Sequence, residues 1–419
     1  MLVCAGLRFV QYTGKYCPMD FILENWTYGL IPFISAIVGW ATNVLALRMT
    51  FYPLEFKGIP PYLGWQGIIP SKAGVMAGKA VDLITKNLVK IEEQFRQIDS
   101  HRVVEEMSPE LERVSKKIIE EVMKTQAPAV WARLPDPVRK QLHHRVNEDL
   151  PVTVEEFMQE INKNVNKFFD LRAMVISTLV ADKGLLNKIF IKCGIEEFRF
   201  IERSGAYFGF LFGLIQMVIW YNIQPVWLLP LAGILVGFTT NWLALKLIFK
   251  PAKPWKVGNL QIQGLFIKRQ NEVSAEYAAI IAGQILTSSK IFDSIFYGTK
   301  SEHVMELIKK HVTKIIDLAA GRSKEILQLV TGSRKYEIMK NIAFSSFKED
   351  LRIIISRVYN YTEQALDLES TLRTRMQALP PAEFAGFLHP IFEENEWKLI
   401  TVGAILGGLA GLAQLYLLF

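Results

Sequence analysis

The chain has 419 residues, half of them hydrophobic and 21% charged, with a formal net charge of +7. That much apolar character excludes an ordinary soluble protein, and that much charge excludes a chain folded wholly inside a bilayer; a membrane anchor with large aqueous parts satisfies both. Three cysteines, Cys4, Cys17 and Cys193, have neither metal-ligand nor redox spacing, so no disulfide framework or zinc site is expected.

Residues 1–18 are moderately apolar but carry Arg8 and Lys15 and lack a sustained apolar core or a small-residue cleavage pattern. They read either as a weak signal-peptide start or as an extension upstream of a start at Met19. The segment from Leu30 to Phe51 follows, about 33 Å long as a helix and therefore long enough to cross the hydrocarbon layer. Within it lies Gly39-Trp40-Ala41-Thr42-Asn43-Val44-Leu45-Ala46-Leu47-Arg48, which places a Thr-Asn pair at membrane depth. An elbow rich in glycine, proline and aromatic residues comes next, from Gly58 to Lys72, and includes Trp65 and Gln66. Apolar side chains beside lysines suit the headgroup level, so Trp65, Gln66 and Lys72 are candidate lipid-interface residues.

The aqueous part reads as helical. Val104, Met107, Leu111, Val114, Ile118 and Val122 recur every three or four residues and form one apolar stripe. The expected use of that stripe is helix-on-helix packing, with a partner groove as the lesser reading. A break falls at Pro135-Asp136-Pro137, and amphipathic helix resumes through Phe168.

A second apolar segment, from Gly205 to Tyr221, carries Gly205, Gly209 and Gly213 one turn apart, followed by Gln216. Trp220, Tyr221 and Trp227 bracket the short link 222–226, as interfacial aromatics do, and the third span, from Leu228 to Phe249, completes a hairpin. That third span contains Gly237-Phe238-Thr239-Thr240-Asn241-Trp242-Leu243-Ala244-Leu245-Lys246, a second copy of the first motif 198 residues on (241 − 43). A second elbow offers Gln263, Lys268 and Arg269, and a second stripe runs through Val304, Ile308, Val312, Ile315 and Ala319. Gly403, Gly407, Gly411 and Gln414 then repeat the glycine ridge in a final span, from Leu399 to Phe419.

The repeats make the whole chain two halves of one plan. The expected fold is an all-α membrane protein of two pseudo-symmetric repeats, each a transmembrane helix, an elongated helical aqueous domain and a second transmembrane helix. The first repeat takes residues 19–203, with its closing glycine helix and link in 204–227; the second takes 228–398, closed by 399–419. Basic residues such as Arg48, Lys57, Lys72, Arg199, Arg203, Lys246, Lys250 and Lys398 flank the aqueous parts, whereas the link 222–226 has no charge. The positive-inside rule therefore puts the aqueous domains in the cytoplasm and the termini outside.

An unpaired amide in an apolar medium costs roughly 2–7 kcal/mol, so Asn43 and Asn241 need partners or a wet cavity. On a helix Gly39, Asn43 and Ala46 share a face, as do Gly237, Asn241 and Ala244, which is the composition of a close helix contact. Thr42, Asn43, Thr240, Asn241, Gln216 and Gln414 thus form a candidate intramembrane polar site or packing set. The asparagines are expected to bond each other, or Gln216 and Gln414, across a pseudo-two-fold axis. Packing is the leading reading; a site for an ion, a headgroup or a small solute between the halves is the second.

The doubled Gly-x-x-Thr-Asn-x-Leu-Ala-Leu-[Arg/Lys] motif is followed by Phe-x-Pro, then by Gln-Gly at the elbow. With the stretch from Phe169-Asp170-Leu171-Arg172 through Glu197-Phe198-Arg199-Phe200 to Gly205, it resembles the bacterial domain-of-unknown-function 445 family, over residues 19–419. The second elbow departs from the first, with Ile267-Lys268 where Pro70-Ser71 stand. The resemblance implies a multi-pass bacterial inner-membrane protein and supplies no chemistry.

No phosphate loop, dinucleotide fingerprint or nucleophile elbow occurs, and the six histidines have no metal spacing. Glu196-Glu197 and Glu393-Glu394 recur before the glycine helices and read as helix-end charges. The expectation is a protein without catalytic, metal or cofactor sites: a membrane-anchored structural or interaction platform at the cell envelope. Its expected partners are membrane lipids, an envelope protein and a second copy of the chain, with no nucleic acid, and the glycine ridges are expected to pack the four spans together or to join protomers. The alternative is a lipid or small-solute conduit formed between the repeats, as an oligomer.

Overall fold

The computed structural model describes residues 18–59, 63–223, 227–251, 254–257, 260–321, 332–386 and 396–418. In chain order the principal elements are α1 (Pro18–Phe51), β1 (Lys57–Ile59), β2 (Leu63–Trp65), α2 (Ala73–Leu83), α3 (Ser100–Gln126), α4 (Asp136–Lys163), α5 (Leu171–Ala181), α6 (Ile195–Ile223) and α7 (Leu228–Phe249). They continue with β3 (Trp255–Val257), β4 (Leu260–Ile262), α8 (Gln270–Ile280), α9 (Ser301–Ala320), α10 (Ser333–Ser356), α11 (Leu368–Gln377) and α12 (Glu396–Leu418). The expected chain start 1–17, the Glu393-Glu394 pair and most of the link 222–226 lie outside the described residues. The chain divides into two compact units, and each is assembled from both halves of the sequence: one holds 1–68, 194–268 and 388–419, the other 69–193 and 269–387.

In the first unit α1 packs along α6 and α7 along α12, while α6 also meets α7 and α1 meets α12, giving a four-helix bundle. Three of its helices are long and apolar enough to cross a membrane, over Tyr28–Phe51, Leu228–Ile248 and Trp397–Tyr416. The expected span 205–221 falls within the 29-residue α6, whose first turn carries Glu196 and Glu197. The bundle's outward surface is apolar: Phe33, Ile37, Leu235, Ile405 and Leu409 are each more than half exposed, which suits a hydrocarbon surround rather than water. Ile31, Trp220 and Leu229 form a buried knot, with Tyr28, Met217, Leu228 and Leu415 packed on it.

Each elbow contains a feature the residue pattern did not suggest, a short antiparallel hairpin. β1 pairs with β2 in the register Lys57↔Trp65, and β3 pairs with β4 as Trp255↔Ile262. Gly67 N–H donates to the Pro53 carbonyl at 2.9 Å, and Gly264 N–H to the Pro251 carbonyl at 3.0 Å, so both elbows close alike.

The second unit is built of helices and their connections, with no strand among its described residues. α2 packs on α5 and α8 on α11, and α2 and α8 each run on into one π-helical turn, Ile84–Leu88 and Ile281–Ile285. The helix starts follow ordinary capping. Asp99 accepts from the His101 N–H at 2.9 Å to open α3, Asp170 accepts from the Ala173 N–H at 2.9 Å to open α5, and Pro137 occupies the first turn of α4. At the far end of α11, the Gln270 amide nitrogen reaches the carbonyls of Met376, Gln377 and Leu379, at 3.1, 3.2 and 2.9 Å. A side chain thereby satisfies acceptors that a helix end leaves open.

The two long stripes meet in a ring of four helices. α3 packs on α4 and α10, and α9 packs on α4 and α10. Leu111, Val114, Val146, Leu150 and Ile354 form its core, which joins both halves of the chain. Charge reinforces the α3–α10 contact: Glu110 bonds Arg113 at 2.5 Å and Arg357 at 3.1 Å, and Lys117 bonds Asp350 at 2.7 Å.

Candidate intramembrane polar site

The Thr-Asn motif of α1 lies on the seam with α6. Gly39 opposes Gly205 so closely that a methyl group on either would strike the other's carbonyl oxygen. Only glycine permits that approach, and it brings the Asn43 side chain onto the α6 backbone, where its amide nitrogen donates to the Ile201 carbonyl at 2.7 Å. The second motif sits in the same surroundings. Gly237 opposes Gly403, and the Asn241 amide nitrogen donates to the Leu399 carbonyl at 3.1 Å, again 158 residues further along the chain.

The threonines serve their own helices. Thr42 Oγ1 donates to the Gly39 carbonyl at 3.1 Å and Thr240 Oγ1 to the Gly237 carbonyl at 3.5 Å. All four motif side chains are buried, Asn43 and Thr240 completely. The expected bonds between the asparagines, or from them to Gln216 and Gln414, are not those formed: each asparagine donates to a backbone carbonyl of the helix beside it. Gln216 instead accepts from Ser35 Oγ at 3.3 Å. The amide nitrogen of buried Gln414 has no partner, and the position 198 residues after Ser35 is Gly233, which carries no hydroxyl. The Asn43 carbonyl oxygen likewise has no partner. Ser35 was not among the candidates, although it lies one turn before Gly39 and two before Asn43, on the same helix face.

The elbow residues divide. Trp65 Nε1 donates to the Met49 carbonyl at 3.1 Å and Gln66 Nε2 to the Leu54 carbonyl at 2.7 Å, so both fasten the elbow to the end of α1. Ile59 and Leu63 on the first hairpin and Trp255 on the second are each at least 70% exposed, a composition that fits insertion among lipid chains. Lys268 is exposed, Gln263 half-buried, and Lys246 near the end of α7 holds its ammonium over the Trp242 ring at 4.6 Å. Lys72 and Arg269 belong to the other unit; Lys72 is half-buried and Arg269 pairs with Glu272 at 2.6 Å.

Among the described residues no three His, Cys, Asp or Glu side chains gather as a metal site. Burial holds the imidazoles of His143 and His311 below their ordinary value of 6.5. For His311, Lys310 and Lys314 push the same way, and Glu160 and Glu156 push against it. The hydrogen bond from Arg113 holds Glu110 below its ordinary 4.5, aided by Arg357. Both histidines therefore favour the folded state fully above pH 6.5, and that preference is lost as pH falls towards their lowered values, because the unfolded chain takes up the protons first. The Glu110 contribution is present above pH 4.5 and lost on further acidification. The melting temperature should therefore fall in two stages as pH is lowered, and His143→Leu with His311→Leu should remove the first stage in a calorimetric pH series.

This chain is similar to bacterial proteins called UPF0754 membrane proteins. It is 32% identical over 78 residues to one from a Synechococcus species, covering 18% of each chain, and 35% identical over 69 residues to one from Shouchella clausii, covering 16% of this chain and 18% of the other. A longer match, 25% identical over 154 residues, is to one from Bacillus cereus and covers 36% of this chain and 40% of the relative. The chain thus spans between 18% and 40% of the length of these relatives. No family model matches, so the resemblance to the domain-of-unknown-function 445 family receives no support from that direction. No solved structure matches either. The relatives, which are bacterial membrane proteins, and the three apolar helices together make this a helical membrane protein.

Proposed function

We propose that the protein is a duplicated, non-catalytic membrane anchor of the bacterial inner membrane that carries a helical interaction platform in the cytoplasm. The carrying observation is the paired seam: Gly39, Gly205 and Asn43 recur as Gly237, Gly403 and Asn241 with the same contacts at the same spacing. Further support for duplication comes from the two hairpin elbows and the two π-helical turns. Two such seams make α1–α6 and α7–α12 repeated hydrogen-bonded pairs, with α6 as the fourth span, an arrangement suited to holding a load.

The cytoplasmic placement rests on the basic flanks, and it has a direct test. With Cys4, Cys17 and Cys193 replaced by serine, a cysteine at exposed Lys348 should react with a membrane-impermeant maleimide only after the cells are opened. Labelling of intact spheroplasts at Lys348→Cys would place the platform on the other side.

The second reading, a conduit, draws on the unpartnered Asn43 oxygen and Gln414 nitrogen, polar atoms buried without a protein ligand. Reconstituted protein should separate the two. The anchor reading expects Asn43→Leu with Asn241→Leu to change assembly or stability while leaving bound lipid and vesicle permeability unchanged. A folded double variant that loses a lipid or a flux of the parent favours the conduit.

A further inference from the structure

The ring formed by α3, α4, α9 and α10 surrounds a partly open cavity of about 430 Å³. Protein interiors rarely leave voids much larger than a water molecule, and 430 Å³ lies in the range of small-ligand sites. Its wall is aliphatic, with Val114, Ile118, Val122, Ile315, Ala319 and Phe347 among the lining side chains. The same stripes that the sequence assigns to helix packing therefore face an interior space as well as one another.

The polar groups on the wall fall into two kinds. Ser115, Thr153 and Tyr336 are satisfied within the protein, by Asn147, the Asp149 carbonyl and Asp317. His311 and Arg145 are not. His311 is only 7% exposed, and neither ring nitrogen has a hydrogen-bond partner; the Glu160 carboxylate stands 3.7 Å away. His311 lies level with Phe157 of α4, ring to ring at 5.8 Å. Arg145 lies twelve residues earlier on the same helix, which is about 18 Å along its axis. There, among the described residues, Val130 and Val138 are exposed, and so is Arg145. Arg145 has no carboxylate partner among the described residues, and neither do Arg133 and Lys140 on the same helix and its immediate approach.

A long, aliphatic interior with an unpaired cation, Arg145, at its mouth has the electrostatic and steric pattern of an amphiphile with one chain and a negative head. We infer that this cavity binds the acyl chain of an anionic single-chain lipid, a fatty acid or a lysophospholipid, with its head against Arg145 and its chain running towards His311. This site lies outside the membrane bundle and does not depend on the anchor reading. A charged peptide helix would also have an apolar face, but the run of about 18 Å between the exposed Arg145 and a buried histidine favours a flexible chain.

The test uses the full-length protein in phosphatidylcholine nanodiscs, with a palmitic acid that carries a photoreactive diazirine near its chain end. After irradiation, mass spectrometry should locate the label on α3, α4, α9 or α10. Ala319→Trp, which fills the interior, should lower labelling about tenfold or more. Arg145→Glu at the exposed mouth should lower it at least about fivefold, while Arg145→Lys keeps it within about twofold, the sizes expected when a cavity or a charged contact is lost. If Ala319→Trp fails to fold, the Arg145 pair still decides. Competition by oleic acid assigns the site to free fatty acid, and competition by lysophosphatidylglycerol alone assigns it to a lysophospholipid. Label confined to α1, α6, α7 and α12 overturns the inference, as does equal competition by uncharged oleyl alcohol or labelling indifferent to Arg145→Glu.

Discussion

Replacing Gly205 or Gly403 with leucine should abolish the folded protein, whereas Gly29→Ala should leave it unchanged. The difference lies in what surrounds each Cα. At Gly205 a side chain would drive into the Gly39 backbone and the Asn43 amide, and at Gly403 into Gly237 and Asn241; around Gly29 there is nothing within 4 Å. Neither seam can give freely: Gly205 meets mainly the Gly39 backbone, and Gly403 meets the Gly237 carbonyl and the Asn241 amide, which can turn aside only by giving up its bond to Leu399. Relief requires the helices to separate, which removes the Asn43–Ile201 and Asn241–Leu399 bonds as well as the packing around them. Overpacking alone costs about 1–3 kcal/mol in ordinary cores, and here the lost hydrogen bond adds to it. Melting in nanodiscs and the yield of membrane-inserted protein would register the effect; a Gly205→Leu variant that melts with the parent would show that the seam does not hold the bundle.

Asn43→Asp should be far more damaging than Asn43→Leu. An aspartate loses the donor that faces the Ile201 carbonyl and sets an acceptor against an acceptor in a fully buried position. It must also be protonated or carry charge at membrane depth, which costs about 2.5–3.5 kcal/mol on insertion scales. Leucine has nearly the same shape and loses one hydrogen bond, worth about 0.6 kcal/mol on average between membrane helices. It also removes the carbonyl oxygen that has no partner, which offsets part of that loss. The same ordering should hold at Asn241. Equal destabilisation by Asp and Leu would mean that the site is wet enough to solvate the carboxylate, which is the condition a conduit needs.

The architecture was legible where the signal was local. The apolar segments, the glycine spacing and the three-and-four periodicity of Val104 to Val122 identify helices because one face repeats along one element. The partners of Asn43 and Asn241 were not legible, since a backbone carbonyl carries no residue identity: Ile201 and Leu399 accept by position, not by side chain. The elbow hairpins escaped notice because strands of three residues show no alternation worth counting. The interior space within the helical ring was equally invisible. A stripe that packs on a neighbour and a stripe that lines a cavity have the same composition, and only the distance between four helices tells them apart.

The pairing order has a consequence for how the chain is made. In the membrane bundle α1 pairs with α6 and α7 with α12, each within its own half of the sequence; in the helical ring α3 packs on α10 and α4 on α9, across the halves. During synthesis the stripe from Val104 to Val122 therefore leaves the ribosome long before residues 333–356 exist to cover it. α4 covers part of that stripe as soon as it emerges, but for the time needed to translate some two hundred further residues, at about 5–20 per second, the part that faces α10 must be shielded by a chaperone, the bilayer or a temporary partner. Slowed translation of the second half should lengthen that interval and raise the fraction of chains lost to proteolysis before the ring can close.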